Sequence, residues 1–578
     1  MYTSERNVQI LISLLKQYGI RKIVVSPGAT NYTFVGSVQN DPFFELYSCV
    51  DERSAAYLAI GMYDECGAPI ALSCTGATAS RNYMSGLTEA YYRKLPILAI
   101  TSMEPRTNVG HLRAQQIDRS QLPNDIAVES IYLPPVKDSE DSYNCMIAVN
   151  RALNALTRNG GGPVHIDIAT LFGQLNQKEI KAESIIRTIT QNDTFPELPK
   201  GKIAVMVGSH KKFDEKLTKA VDSFCATNNA ILLCVNPSSY FGDFAFHPGF
   251  LYAQLGCPNG LKEFDLVIHI GEISSDYVGF SILPKTVWRV SEDGLIKDRY
   301  RKLSLVFNMP EWVFFNAYSK PGIFKNSNFQ FYSAEDEKLR KLIPDIPYSN
   351  CWIAQYLAPY IPNHSDLFLG IVNCLRVWDY AKLPPSVRTH SNVGGFGIDG
   401  CLSSMIGASI VSPEKEFYGV FGDLAFFYDC NILGNRHVGK NIHIIIVNND
   451  GGQQFRNFDH PASSLGDKTN EFVAAAGHNG SMSPNVIRHM AEDFGFEYYS
   501  ASSKNEFIEC SSHFFEKEKS VIIEAFVSEQ AEGEALRQIR SVVSQHVSIT
   551  KSLKDTIKGS ISSEKITAIK TLLGKENK

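Results

Sequence analysis

Short runs of β-branched and other apolar residues alternate with longer amphipathic stretches throughout this chain. Runs such as 21–26, 70–74, 96–101 and 164–168 have the length and composition of buried strands, and the stretch 53–65 between two of them has helical spacing. Regular alternation of strand and helix is typical of parallel sheets covered by helices on both faces. The sequence therefore predicts an α/β fold made of doubly wound, Rossmann-like sheets.

The chain has 578 residues, several times the size of one domain, so we expect more than one hydrophobic core. The polar, proline-containing stretch Thr194–Lys200 predicts a linker, and the strand pattern weakens again between 308 and 349. We predict three α/β domains at 1–185, 195–345 and 346–528. A helical extension is expected at 529–578.

Composition excludes several classes of function. The net charge of −5 provides no basic face for a phosphate backbone, so nucleic acid is not an expected partner. The twelve cysteines form no C-x-x-C pair, which argues against a disulfide framework or a cysteine-rich zinc site. The longest apolar runs have the length of strands, so no membrane span is expected. These features favour a cytoplasmic protein.

Two polar turns follow predicted strands in the third domain. Asp423, within Gly422-Asp423-Leu424, follows the run YGVF, and Asn449, 26 residues later, follows the run IHIIIV. The carboxyl ends of parallel strands form the ligand-binding edge of a sheet. Mg²⁺ prefers oxygen ligands, which the Asp423 carboxylate, the Asn449 amide and the carbonyl of Gly451 would supply.

A Gly-Asp turn and an Asn-Asn-x-Gly-Gly turn at this spacing resemble the signature of thiamine-diphosphate enzymes. The resemblance implies that thiamine diphosphate and Mg²⁺ are bound here. It implies diphosphate contacts from Gly422, Leu424 and Gly452. The helix after Asp423 would also direct free N–H groups at the anion.

The N-terminal region carries SPGAT at 26–30, VDER at 50–53 and TGAT at 75–78. This order resembles the pyrimidine-binding domain of the same enzymes. It implies that the Glu52 carboxylate, shielded from water, engages the pyrimidine ring and activates the cofactor. Taken alone, Glu52 is also an ordinary acidic residue at a helix start. The other cofactor contacts implied by the resemblance are Pro27, Gly28, Thr75, Gly76 and the aliphatic wedge Ile398.

The motifs together most resemble the MenD (SEPHCHC synthase) family, clearly in the first and third domains and only by strand rhythm in the middle one. The resemblance implies pyrimidine-binding, central and diphosphate-binding domains in that order. It also implies a homodimer or homotetramer with active sites at the subunit interface.

Enzymes of that family decarboxylate 2-oxoglutarate and add the resulting carbanion to isochorismate. They use arginines to bind the carboxylates of these substrates. Arg376 matches one such arginine, although Val372 replaces its serine partner, and Gln116 matches a glutamine near the reacting carbons. Other arginines are absent from the matching segments, which are Ala29-Thr30, Met103-Glu104-Pro105 and Asn392-Val393-Gly394. We therefore expect a 2-oxo acid decarboxylase or carboligase with a different substrate. The carbanion formed by decarboxylation would be protonated or transferred to a carbonyl or enone acceptor.

Alternatives remain open at this point. One alternative is that the chain is an authentic SEPHCHC synthase. Another is that it is a non-catalytic subunit that binds the cofactor. A nucleotide-dependent oxidoreductase is disfavoured, because no G-x-G-x-x-G pattern follows a strand of the middle region, where only Val207-Gly208-Ser209-His210 is found. His111 and His390 are weaker candidates for proton transfer, and a flavin in the central domain stays undecided.

Overall fold

A computed structural model describes residues 1–274, 281–322, 324–478 and 482–545. Its strands, in chain order, are β1 Tyr2–Thr3, β2 Lys22–Val25, β3 Glu45–Ser48, β4 Ile70–Thr75, β5 Ile97–Met103, β6 Glu129–Leu133, β7 Val164–Ala169, β8 Leu175–Gln177, β9 Arg187–Thr190, β10 Ile203–Val207, β11 Ile231–Cys234, β12 Ala245–Phe246, β13 Glu263–Ile270, β14 Leu283–Val290, β15 Leu303–Asn308, β16 Asp366–Leu369, β17 Arg388–His390, β18 Phe417–Gly422, β19 Ile442–Asn448, β20 Glu497–Ala501 and β21 Val521–Phe526.

The described α-helices are α1 Arg6–Gln17, α2 Tyr32–Val38, α3 Glu52–Cys66, α4 Ala77–Asn82, α5 Met84–Tyr92, α6 Ser139–Ala155, α7 Glu215–Asn228, α8 Gly249–Ala253, α9 Glu311–Ala317, α10 Ser327–Arg340, α11 Asn350–Leu357, α12 Asn373–Trp378, α13 Cys401–Val411, α14 Asp423–Asp429, α15 Gln453–Arg456, α16 Thr469–Phe472, α17 Val486–Asp493, α18 Lys504–Ser511 and α19 Glu529–Arg540. Among the described residues, none of these helices combines the length and apolar character needed to cross a membrane.

The chain divides into two compact units. Unit 1 contains Met1–Phe195 together with Ser291–Met309, and unit 2 contains Pro196–Val290 together with the chain from Pro310 onward. The three domain boundaries expected from the sequence stay predictions.

Unit 1 is built on a six-stranded parallel sheet with the order β3-β2-β4-β5-β7-β6. Every residue of β5 is buried, which explains why this strand begins with the continuous apolar run ILAI in the sequence. Strands β9 and β15 pair with each other in parallel, and β1 pairs with β8 in antiparallel fashion.

Unit 2 contains two sets of parallel strands. One has the order β12-β11-β10-β13-β14 and the other the order β17-β16-β18-β19-β21-β20. The predicted α/β class with several parallel sheets flanked by helices is thus confirmed.

The predicted C-terminal extension begins as helix α19, which is amphipathic. Its residues Ala535 and Ile539 are fully buried in the main core of unit 2, so this helix belongs to the packed domain. Residues 546–578, the rest of the predicted extension, lie outside the described residues.

A buried carboxylate ties α19 to α11. Glu532 is 2% exposed, and its Oε1 accepts a hydrogen bond of 2.6 Å from the backbone N–H of Asn350. Burial raises the pKa of Glu532 to about 7, and the hydrogen bonds from Asn350 and from the Asn373 side chain lower it only partly. Burial also raises the pKa of the nearby thiols of Cys351 and Cys374, which therefore stay neutral.

The Glu532→Gln variant is expected to change how stability depends on pH. Because the folded-state pKa is raised, the contribution of Glu532 is fully present below pH 4.5, its ordinary pKa, and is lost as the pH rises through about 7. A pKa displacement of this size corresponds to about 3 kcal/mol. Thermal unfolding should therefore show wild type losing stability relative to Glu532→Gln as the pH rises from 4.5 to about 7. A melting-point difference that is constant over this range would contradict the prediction.

Candidate active site

The structure brings Asp423 and Asn449 together at one sheet edge in unit 2. Asp423 directly follows β18 and Asn449 directly follows β19, and these neighbouring parallel strands are paired with Gly422 opposite Val447. The backbone N–H of Gly451 donates to Asp423 Oδ2 at 3.0 Å. The two turns that the sequence predicted as one site are therefore in direct contact.

The oxygens at this edge are buried and only partly satisfied. Asp423 is 5% exposed, and burial raises its pKa to about 7, although backbone hydrogen bonds from Leu424 and Gly451 oppose the shift. The side-chain Oδ1 of Asn449 is buried and has no hydrogen-bond partner among the described residues. A divalent cation would supply the missing partner and would favour the ionised carboxylate.

Gly451 has a backbone conformation that the turn requires. Its φ is +146°, and a Cβ at this position would lie 2.8 Å from the carbonyl oxygen of Ala474. The next residue, Gly452, donates its N–H to the same carbonyl at 2.6 Å. A side chain at Gly451 would therefore displace the turn that carries the Asn449 amide.

Arg456 shapes this turn, a role that sequence analysis missed. Its guanidinium donates to the carbonyl oxygens of Asn449 at 2.8 Å and Asp450 at 2.9 Å, and to the Oδ1 of Asn470 at 2.7 Å. The side chain is 3% exposed and lies 3.5 Å from the Glu529 carboxylate. Nothing in the spacing after VNNDGG indicates that an arginine holds these carbonyls.

In unit 1, the predicted pyrimidine-binding loops contact each other at the carboxyl ends of β2 and β4. A Cβ built on Gly28 would lie 2.0 Å from Cγ2 of Thr75, so this glycine allows the close approach. Gly76 donates its N–H to the carbonyl of Ser102 at 2.6 Å. Pro27 and Gly28 are exposed on the same edge.

Glu52 is the first residue of α3. The preceding residue, Asp51, caps the helix by accepting a hydrogen bond of 2.7 Å from the N–H of Ser54, which leaves Glu52 for another role. The Oε2 of Glu52 accepts from the Nδ2 of Asn82 at 3.0 Å. Glu52 is half-buried in the single chain.

A buried charge cluster lies beside the TGAT loop. Asp167 is fully buried and pairs with two guanidiniums, those of Arg119, which is itself buried, and Arg106. A Cβ on Gly76 would lie 3.2 Å from an Arg119 nitrogen, so this cluster supports the loop directly. Two arginines for one carboxylate leave a positive charge here, which sequence analysis did not identify. Nearby in sequence, the buried Oε1 of Gln116 has no hydrogen-bond partner among the described residues.

The predicted substrate and wedge residues lie on α12 and on the loop 391–400 of unit 2. The Arg376 guanidinium is 6.0 Å from the ring centre of Phe396. Ile398 is partly buried and packs on the main core. Val372 has a φ of +71°, which is rare for a β-branched residue and indicates a strained turn before α12.

The two histidines differ in environment. His390 Nε2 lies 2.7 Å from the Asp366 carboxylate, and its ring stacks on Phe368, which gives it a structural explanation. His111 is exposed.

Comparison with known proteins agrees with these motifs. Residues 6–122 match the family described as "Thiamine pyrophosphate enzyme, N-terminal TPP binding domain", thiamine pyrophosphate being another name for thiamine diphosphate. Nearly the whole chain is similar to proteins named 2-succinyl-5-enolpyruvyl-6-hydroxy-3-cyclohexene-1-carboxylate synthase, or SEPHCHC synthase.

Three of these relatives illustrate the range of similarity. The Phocaeicola vulgatus protein is 28% identical over 568 residues, which cover 93% of this chain and 98% of that protein. The Bacteroides thetaiotaomicron protein is 28% identical over 562 residues, with coverage of 93% and 98%. The Flavobacterium psychrophilum protein is 25% identical over 545 residues, with coverage of 90% and 95%. The chain thus carries a segment that matches the thiamine-diphosphate-binding domain of these enzymes, and over most of its length it is similar to SEPHCHC synthases.

Proposed function

We propose that this enzyme uses thiamine diphosphate with Mg²⁺ to decarboxylate a 2-oxo acid, and that the carbanion is protonated or transferred to a carbonyl or enone acceptor. The observation that carries the proposal is the contact between the Asp423 and Asn449 turns at one sheet edge. When bound, thiamine diphosphate supplies a nucleophilic carbon and an electron sink for the decarboxylation.

The residues of unit 2 fit a metal–diphosphate group. Asp423 and Asn449 would supply side-chain oxygens to Mg²⁺, and Gly451 its carbonyl, in line with the preference of this ion for a few protein oxygens plus phosphate. This assignment is supported by the side-chain Oδ1 of Asn449, which accepts no hydrogen bond from any described residue. Gly422, Leu424 and Gly452 would lie against the diphosphate, and Ile398 would support the bent cofactor.

The residues of unit 1 fit the other end of the cofactor. Glu52 would hold a proton at the pyrimidine nitrogen, and Pro27, Gly28, Thr75 and Gly76 would contact the ring. Gln116 would hydrogen-bond near the reacting carbons, because its amide oxygen has no other partner in the part of the chain that the structure describes.

Altered polar residues support a substrate pair different from 2-oxoglutarate and isochorismate. Arg376 would still bind a distal carboxylate of the donor, but Val372 cannot hydrogen-bond it through its side chain. A carboxylate buried without its arginine loses much of its binding energy. The Arg106–Arg119–Asp167 cluster retains one positive charge near the loop at Gly76, which favours an acidic substrate.

SEPHCHC synthesis itself is the second candidate. It is favoured by the extent of the similarity, because relatives of that name match 93% of this chain. Arg376 is also compatible with 2-oxoglutarate as the donor.

A 2-oxo acid panel tests the proposal. Purified protein with thiamine diphosphate and Mg²⁺ is expected to release carbon dioxide from at least one 2-oxo acid. Donors with a second, distal carboxylate should be preferred over pyruvate because of Arg376. Adding aldehyde, enone or isochorismate acceptors separates protonation from transfer. Formation of SEPHCHC would establish the second candidate, and no release from any donor would reject decarboxylation.

We also propose a homodimer or homotetramer in the cytoplasm. Apolar side chains flank Glu52 on the surface of unit 1: Val50 is 75% exposed, Tyr57 48% and Leu58 43%. Such a patch marks an interaction surface, and a partner there would shield the Glu52 carboxylate from water. Analytical ultracentrifugation should show an assembly of at least two chains that Tyr57→Glu weakens. A monomer at micromolar concentration would contradict this proposal.

A further inference from the structure

A cavity of about 450 Å³ lies within unit 2 and is not lined by any residue assigned above to the cofactor site. Its walls come from the segment 236–247 after β11, from one face of α10, and from the segment 379–389 before and within β17. The volume lies in the range of small-molecule sites. It is large enough for an aromatic ring with substituents.

Much of the cavity wall is apolar and aromatic. Tyr240, Phe246 and Phe329 supply rings, and Leu383 and Pro384 supply aliphatic surface. Tyr240 and Phe246 are buried by their own neighbours, which fixes their orientation. Such a wall favours a flat ring over a flexible polar chain.

Polar groups without partners are set among these apolar residues. Asn236 is 6% exposed, and its Nδ2 has no hydrogen-bond partner among the described residues. The Oδ1 of Asp336 is likewise buried and unpartnered there, while its Oδ2 accepts from Arg340 Nε at 2.6 Å. One buried donor and one buried acceptor therefore remain for a ligand, because unsatisfied buried polar groups are unfavourable.

His247 adds a polar group to the wall, although this residue is exposed to solvent. A neutral imidazole can donate through one nitrogen and accept through the other.

The charge of the wall selects against anions. Four carboxylates line the cavity, those of Asp243, Asp336, Glu337 and Asp379, against two basic side chains, Arg340 and Lys382. Lys382 pairs with Glu337 and Arg340 with Asp336, so both positive charges are already compensated within the wall. A phosphate or carboxylate group would meet net negative charge here.

We propose that this cavity binds a flat aromatic molecule carrying an uncharged or cationic N–H donor group, such as an amide, an amidine or an amino-substituted heterocycle. The ring would pack on Phe246 and Phe329, and the N–H group would donate to the Asp336 carboxylate. An acceptor atom of the ligand would accept a hydrogen bond from the Nδ2–H group of Asn236. This site is independent of the thiamine diphosphate chemistry proposed above.

Three isosteric probes test the proposed chemistry: benzamidine, benzamide and benzoate carry the same ring with positive, no and negative charge. Saturation-transfer NMR titrations on the full-length protein, with and without thiamine diphosphate and Mg²⁺, should rank benzamidine first, benzamide second and benzoate weakest. We expect benzoate to bind at least roughly tenfold more weakly than benzamidine, because of the wall's charge. Equal or tighter binding of benzoate would overturn the proposal, as would no saturable binding of any probe.

A matched pair of variants tests the location. Ser333→Phe on α10 places a ring in the cavity and should abolish probe binding, whereas Ala334→Phe, one residue further on the exposed side, should not. Asn236→Leu provides a second variant, since this nearly isosteric change removes an amide whose Nδ2 has no partner among the described residues. It should weaken benzamide binding several-fold without lowering the melting temperature. Unchanged probe binding in both Ser333→Phe and Asn236→Leu would refute the assignment, whatever the outcome of the 2-oxo acid panel.

Discussion

The Glu52→Gln variant is expected to lose at least on the order of 100-fold in kcat while keeping its affinity for thiamine diphosphate and Mg²⁺, because a positioned acid–base group contributes 10²–10⁴-fold. Glutamine preserves the size of the side chain and an oxygen that can accept the hydrogen bond from Asn82. It cannot hold a transferable proton at the pyrimidine ring. Carbon dioxide release under saturating cofactor measures kcat, and calorimetry measures cofactor binding.

Asp51→Asn is the matched control for Glu52→Gln. It removes the neighbouring carboxylate, and asparagine can still cap α3 by accepting from the N–H of Ser54. We expect its kcat to be close to that of wild type. If Glu52→Gln turned over the best 2-oxo acid as fast as wild type, Glu52 would not be the activating residue.

The Asp423→Asn variant should lose on the order of 100-fold or more in affinity for thiamine diphosphate with Mg²⁺. Outer-shell changes at metal sites already cost 10- to 100-fold, and this change removes the only charged protein ligand proposed for the ion. Asparagine can still accept the N–H of Gly451 through its side-chain oxygen, so the fold should persist. Thermal unfolding of the cofactor-free protein checks the fold, and the rise in melting temperature on adding cofactor and Mg²⁺ checks binding.

Asp429→Asn is the control for Asp423→Asn. Asp429 is a buried carboxylate at the end of the same helix, where it accepts hydrogen bonds from the N–H and hydroxyl of Ser403. Its replacement is expected to lower stability slightly without reducing the cofactor-induced shift. An undiminished shift in Asp423→Asn would show that the metal is held elsewhere.

Much of the sheet structure was predictable from sequence. The strands predicted at 21–26, 70–74, 96–101 and 164–168 are β2, β4, β5 and β7 of the structure, whose bounds differ from the predicted ones by one or two residues at an end. Parallel strands buried on both faces leave continuous apolar runs, which sequence patterns detect well. Strand β9 was not predicted, because its four residues are only half-buried or exposed and show no apolar run.

The candidate site was predictable only in part. Asp423, Asn449 and Gly451 were identified because their turns follow strands at a characteristic spacing. Arg456, Arg119 and Asp167 were missed. Each of these side chains makes hydrogen bonds or ion pairs with residues far along the chain or with backbone carbonyl oxygens. Contacts of these two kinds leave no spacing pattern in the sequence.

By itself, the sequence determined the class of fold, the positions where buried strands end and the polar residues that follow those ends. Local apolar runs and turn residues specify these features directly. Only the tertiary structure decided that Asn449 Oδ1 lacks a hydrogen-bond partner within the described chain, that Glu532 is buried against α11, and that a cavity opens beside α10. Burial and hydrogen-bond satisfaction depend on which distant segments meet in space, and the order of residues in one segment does not contain that information.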